Sequence, residues 1–238
     1  ALGAAIAIVG GAAFGGLPEV MGPYLLSLCA FIGGLGVTAL VYRLGRRNGQ
    51  TNVAVMLLAG IALTALAGSA VGLFTYLADD ATLRTLTFWN LGSLNGASYA
   101  RLWPLLIVTV GVALWLPRRA NALNALLLGE SEANHLGIDV EGLKRELVFC
   151  TALGVGAAVA AAGMIGFIGL VVPHLVRLLA GPDHRVLLPA SVLAGATLLL
   201  FADLIARLAL APAELPIGIV TAFLGAPFFL YLLMRGRH

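Results

Sequence analysis

Apolar residues along this chain run in long unbroken blocks separated by short polar or Pro/Gly-rich breaks, and nowhere do they alternate with a period of two. Eight blocks stand out, at about 1–14, 23–43, 53–78, 101–117, 145–163, 165–180, 187–210 and 216–234. A bilayer core about 30 Å thick takes about 20 helical residues to cross. Hydrocarbon offers a backbone no hydrogen-bond partners, so only helices or a closed barrel can span it. Barrel strands would alternate apolar and polar side chains, so the continuous runs predict helices. The expected fold is therefore all-α, a polytopic transmembrane helical bundle with about eight spans.

Composition agrees. Of the 238 residues, 61% are hydrophobic and 11% charged, with a mean hydropathy of +1.01, whereas soluble domains are about a quarter charged. Cys29 and Cys150 lie inside apolar blocks with no nearby His or second Cys, and read as packing thiols. The net charge of +3 is small, and no basic stripe is interleaved with aromatics, which excludes nucleic acid as a partner class.

The placement of charge matters more than its sum. Arg43, Arg46, Arg47, Arg118, Arg119, Lys144, Arg145, Arg177, Arg185, Arg235 and Arg237 all fall on one side of the predicted spans, against only Arg84 and Arg101 in the opposite loops, which also hold Glu19, Asp79, Asp80 and Glu214. The positive-inside rule makes the Arg-rich side cytoplasmic and puts the C-terminus there. The first block then runs outward. It opens "ALGAAIAIVGGAAF" without Met and offers about 21 Å of helix at about 1.5 Å per residue, short of a span. The expectation is that an N-terminal part precedes it, and two further spans would make ten.

On the predicted cytoplasmic side lies "LGESEANHLG", a polar stretch holding Leu128, Gly129, Glu130, Ser131, Glu132, Asn134, His135 and Gly137. Glu130 and Glu132 suit the start of a short helix, His135 its end, and Gly137 a left-handed C-cap. Two readings fit, a solvated loop or a docking knob for a cytoplasmic partner. Lacking a hydrophobic face of its own, the knob would need a receiving groove.

Three other features carry information. Gly60, Thr64, Gly68, Gly72 and Tyr76 recur every four residues and form one stripe on the third predicted helix, either for close packing or as the wall of a passage. Pro173, preceded by Gly163, Gly166 and Gly169, predicts a short or kinked helix, and Asp183 after Gly181 and Pro182 is placed to cap the next one. Asp203 and Arg207 lie four apart inside a predicted span, suited to a local ion pair or to function. No nucleotide, zinc or serine-nucleophile motif is present, so if nucleotide drives the protein, another chain must bind it.

The ordered set "LLLGESEANHLGI", "GFIGLVVPHLVRLL", "GPDHRVLLPAS" and "FADLIARLALAPAELPIGIVTAFLGAPFFLYLL", with "LLAGIAL" and "FWNLGSLNGAS" before it, closely resembles the FecCD-type permease family of ABC importers for siderophore-bound iron, haem and cobalamin. The resemblance covers essentially the whole chain, which looks like such a permease of ten spans without its first two and part of the third. It implies one transmembrane permease domain over 1–238, with a cytoplasmic coupling segment at 127–143. It also implies a type II importer in a bacterial inner membrane. In that arrangement two permease subunits form a homodimer around one pathway, two cytoplasmic ATPases hold the ATP and magnesium, and a periplasmic binding protein delivers the ligand. No cofactor belongs to this chain and no residue performs covalent chemistry.

Residue by residue, the resemblance assigns 128–137 to coupling with the ATPase, Gly60, Thr64, Gly68 and Gly72 to the pathway, Thr51 and Asn52 to the cytoplasmic gate, and Arg207 to docking of the binding protein. The stretch "ADDATLRTLTFWNLGSLNGAS" is most similar to haem permeases. The rival reading is an ion-coupled secondary transporter that uses Asp203, an acid inside a predicted span. An arginine four residues on suits an ion pair better than a proton carrier.

Overall fold

The computed structural model describes residues 1–13, 22–47, 49–95, 99–209, 213 and 215–235. Glu19, Glu214, Arg237 and His238, along with the side chains of Arg101 and Arg235, lie outside what it describes.

Each of the eight apolar blocks is a helix. They are α1 (Leu2–Ala13), α2 (Gly22–Gly45), α3 (Val53–Leu77), α5 (Tyr99–Trp115), α8 (Val140–Ala162), α9 (Ile168–Ala180), α10 (His184–Leu208) and α11 (Ile217–Arg235). Among the described residues, five helical stretches are long and apolar enough to cross a membrane, and the segments Leu2–Ala12, Ile168–Ala180 and Ile217–Leu230 are apolar but shorter. Three α-helices do not correspond to apolar blocks: α4 (Asp80–Leu91), α6 (Ala120–Leu126) and α7 (Glu130–His135). A 3₁₀ turn at Leu116–Arg119 and a two-stranded hairpin, β1 (Arg46–Arg47) with β2 (Gln50–Thr51), complete the set.

The chain forms two compact units. The first comprises 1–90, 97–109 and 139–163, and the second 91–96, 110–138 and 164–238. In the first, α2 packs against α1, α3 and α8. Small residues allow this: a Cβ on Gly3 would come within 2.1 Å of the Cys29 carbonyl oxygen, and one on Gly156 within 3.0 Å of the Phe31 ring. Such backbone proximity is how helices associate where lipid supplies no hydrophobic driving force between them. The Ser27 hydroxyl donates to the Ala160 carbonyl at 2.8 Å, tying α2 to α8.

α3 buries no residue at all. Leu57, Leu58, Ile61 and Leu66 are each about two-thirds exposed. An apolar surface of that extent is a liability in water and ordinary against lipid or a partner helix.

In the second unit α10 is the central helix, with α6, α9 and α11 against it. Ala202 and Ala206 of α10 bury against Ile217 and Val220 of α11, and Leu187 of α10 against Val172 and Val176 of α9. Asp183 caps α10, accepting from the Arg185 N–H at 2.9 Å. α9 is short, 13 residues with Pro173 inside. It begins after Phe167, the single non-glycine residue with positive φ among those described, at 66°.

Helix α4 has no counterpart among the predicted elements, because long apolar runs do not reveal it. Its sequence, DATLRTLTFWNL, is half polar. Asp79 stands before it, and a hydrogen bond from the Thr82 side chain holds the Asp79 carboxyl below the ordinary carboxylate range.

Candidate functional site

The polar segment 128–137 is a built structure. α6 and α7 are joined by Leu127, Leu128 and Gly129. Gly129 stands at φ 108°, ψ 157°, a conformation essentially reserved for glycine. Glu130 and Glu132 occupy the first turn of α7 and His135 its last. The helix ends in a Schellman motif. The Gly137 N–H donates to the Asn134 carbonyl at 2.9 Å and the Ile138 N–H to the Ala133 carbonyl at 3.1 Å. Gly137 takes the left-handed conformation this requires, at φ 81°.

Ala133 is fully buried, while Leu128, Gly129, Glu130, Ser131, Glu132, Asn134, His135 and Gly137 are all exposed. The expectation that the segment has no hydrophobic face is corrected in one respect. Leu127, Leu128 and Leu136 are exposed at 49%, 67% and 64%. The helix itself is polar, ESEANH, and the leucines belong to the turns that flank it, where a pattern confined to the helix does not find them.

What steadies this segment from below was not legible in the sequence. Asn124 on α6 donates from Nδ2 to Asp183 Oδ1 at 2.6 Å, and its Oδ1 accepts the His184 backbone N–H at 2.8 Å. His184 Nδ1 lies 2.8 Å from the same oxygen, so that nitrogen carries the proton. Arg185 Nε donates to Asn121 Oδ1 at 2.9 Å. Two asparagines one turn apart thereby join α6 to the start of α10. The Arg185 N–H, then the Asn124 side chain, hold the Asp183 carboxyl below the ordinary range. Arg118 donates to the Leu114 carbonyl, and the Arg119 guanidinium stands 5.5 Å from the centre of the Trp115 ring.

In the first unit, Thr51 and Asn52 link the hairpin to α3. Asn52 is the N-cap, its Oδ1 accepting from the Val55 N–H at 3.2 Å, which is worth about 1 kcal/mol. Thr51 is buried and its hydroxyl donates to Glu141 Oε2 at 2.6 Å. Gly60, Gly68 and Gly72 each have open space where a Cβ would stand, and Thr64 is exposed on the same helix. The stripe is thus uncovered in this chain.

Asp203 and Arg207 form the expected ion pair, Nε to Oδ2 at 2.8 Å, with side-chain exposures of 21% and 46%. Among the described residues, no group of three or more His, Cys, Asp or Glu side chains could hold a metal ion.

Five helices long and apolar enough to cross a membrane, with a capped polar knob between helices of the second unit, mark a multi-pass transmembrane protein. Comparison with known proteins gives the family: the chain belongs to the FecCD transport family, which matches residues 1–235. It is 46% identical over 222 residues to the hemin transport system permease protein HmuU of Yersinia pestis, covering 93% of this chain and 66% of that protein. It is 45% identical over 218 residues to the vitamin B12 import system permease protein BtuC of Klebsiella pneumoniae, covering 92% and 65%. The chain thus spans just under two thirds of the length of these relatives. A solved structure described as an inward-facing conformation of a metal-chelate type ABC transporter is similar, with a TM-score of 0.86 at 33% identity over 98% of this chain and 72% of that one.

Proposed function

We propose that this chain is the membrane-spanning permease part of an ATP-driven ABC importer that moves an iron chelate, haem before a ferric siderophore or cobalamin, from periplasm to cytoplasm. The observation that carries this is the match along nearly the whole chain to a transport family whose members include hemin and vitamin B12 permeases. In this reading two copies form a homodimer in the bacterial inner membrane, with the C-terminus cytoplasmic. Two ATP-binding subunits supply ATP hydrolysis with magnesium, and a periplasmic protein brings the ligand.

The geometry supports a division of labour. Residues 128–137 project polar side chains and a leucine rim from a segment stiffened by two glycine turns and by the asparagine links to α10, which suits a surface that must receive a push without folding under it. Residues 127–143 act together as the coupling segment. Thr51 and Asn52 form the cytoplasmic gate, and Gly60, Thr64, Gly68 and Gly72 face the pathway, where small side chains give a bulky ligand little to bind. Arg207 docks the binding protein.

ATPase closure then displaces the coupling segment and shifts the population between two arrangements of the gate. Reconstitution with the partner ATPase and binding protein in liposomes tests the reading. ATP-dependent accumulation of haem, a ferric siderophore or cobalamin is expected. Uptake that follows an imposed proton gradient and ignores ATP would overturn it.

A further inference from the structure

A second polar cluster, in the first unit, does more than end a hairpin. Thr51 is buried although its neighbours Gln50 and Asn52 are exposed. Two residues one turn apart on α8 hold it: its hydroxyl donates to Glu141 Oε2 at 2.6 Å, and its carbonyl accepts from Lys144 Nζ at 3.2 Å. Lys144 Nζ also reaches Glu141 Oε1 at 3.1 Å, closing a ring of three groups. The Lys144 side chain is only 11% exposed, so its ammonium is largely withdrawn from water and these oxygens answer its charge. From the other side, the Asn52 N–H donates to the Gly45 carbonyl at 2.9 Å. α3 itself buries no residue, and this ring ties the residue just before its N-cap to α8.

Along the chain, α8 begins three residues after Gly137, and it begins stiffly: Asp139 caps it, accepting from the Gly142 N–H at 2.9 Å. Glu141 thus follows the 128–137 segment by four residues along the chain, inside the capped first turn of α8.

We propose that Glu141 and Lys144 are positioning residues that clamp Thr51, and that release of this clamp is the step by which movement arriving at α8 frees the start of α3. The inference rests on the reading of Thr51 and Asn52 as the gate. A pair that merely stabilised the fold would be equally closed in every nucleotide state, whereas a clamp is closed in one and released in another.

The test uses the assembled transporter with Cys29→Ala and Cys150→Ala, and Gln50→Cys as the reporter, modified by a charged thiol reagent in the nucleotide-free and vanadate-trapped states. With the clamp intact, the two states should differ in modification rate by at least about tenfold, the low end of what one hydrogen bond to a charged group is worth. Thr51→Val, which keeps the shape and loses the donor, and Lys144→Met should each raise the slower rate to the faster one, with uptake per ATP reduced. Unchanged rates in Thr51→Val would overturn the clamp even if Lys144→Met fails to assemble. Changed rates with unchanged uptake per ATP would overturn its link to gating. If the parent complex accumulates no ligand with ATP, the permease reading falls, and the rates still decide whether Thr51 is clamped.

Discussion

Asn124 and Asp183, 59 residues apart in sequence, are joined side chain to side chain at 2.6 Å. Asn124 also receives the first backbone N–H of α10, so one side chain satisfies an otherwise orphan donor and anchors α6. Asn124→Leu should remove both bonds while keeping the volume. Hydrogen exchange over 120–135 is expected to quicken several-fold, with ATP hydrolysis less tightly matched to uptake. Exchange at the parent rate would show that the asparagine link does not steady the segment.

The same cap sets an acid limit. The Asp183 carboxyl is held below its ordinary value by the Arg185 N–H and Asn124, so the stabilisation it lends is complete above the unfolded value of about 3.9 and is lost as pH falls through the lower folded value. Protection of the first turn of α10 should stay flat from neutral pH to about 5 and fall only in stronger acid. Asp183→Asn, which keeps a capping oxygen and cannot titrate, should flatten the profile. A transition centred at about pH 6 would assign the dependence to another group.

Gly129 and Gly137 give the 128–137 segment its shape. A side chain at Gly137 in its left-handed conformation costs about 1–2 kcal/mol, and one at Gly129 about 1–3 kcal/mol. Gly129→Val and Gly137→Pro should therefore leave the helical bundle intact but move α7, so that ATP is hydrolysed with little uptake. Glu130→Arg, on the exposed face, should do the same by charge. Normal uptake per ATP in all three would remove the segment from coupling.

How much of this was legible in advance depended on the range of each interaction. The eight apolar helices were readable because their unbroken apolar composition is written along the chain, five of them at a length that crosses a membrane, and Asp183 and Gly137 because capping is local. The apolar pattern starts α8 at 145, since Lys144 and Arg145 resemble the end of a loop. The structure begins it at Val140, because Asp139 caps it and Val140 and Leu143 are buried. Helix α4, half polar, gives no span signal. The bonds from Asn124 to Asp183 and from Thr51 to Glu141 cross 59 and 90 residues and leave no periodic trace in either partner. The partners were visible as polar residues, and their pairing was not.

Asp203 and Arg207 separate the two transport mechanisms. The carboxylate is already engaged by the guanidinium one turn away. Asp203→Asn should leave ATP-driven uptake largely intact, and its loss in a proton-driven assay would favour the ion-coupled reading. Arg207→Glu should weaken binding-protein affinity, more at low salt than at high, since charge pairs at an interface rim are screened. Equal affinity at low salt would remove Arg207 from the docking surface.

Phe167 supplies the last test, one of stability. Its positive φ of 66° is unusual for a bulky residue and persists only where the surroundings fix it. Gly225 of α11 is what makes room: a Cβ there would stand 2.4 Å from Phe167 Cβ and 2.8 Å from Cγ. These are atoms at the root of the side chain, which a change of rotamer does little to relieve. Gly225→Ala should therefore destabilise by about 1–3 kcal/mol, as overpacking does. Phe167→Gly should lower the backbone strain and make room for the added methyl group, so combining the two substitutions should recover part of the loss. The check is thermal unfolding in detergent. If the two effects simply add, the contact between Phe167 and α11 is not what holds the start of α9 in place.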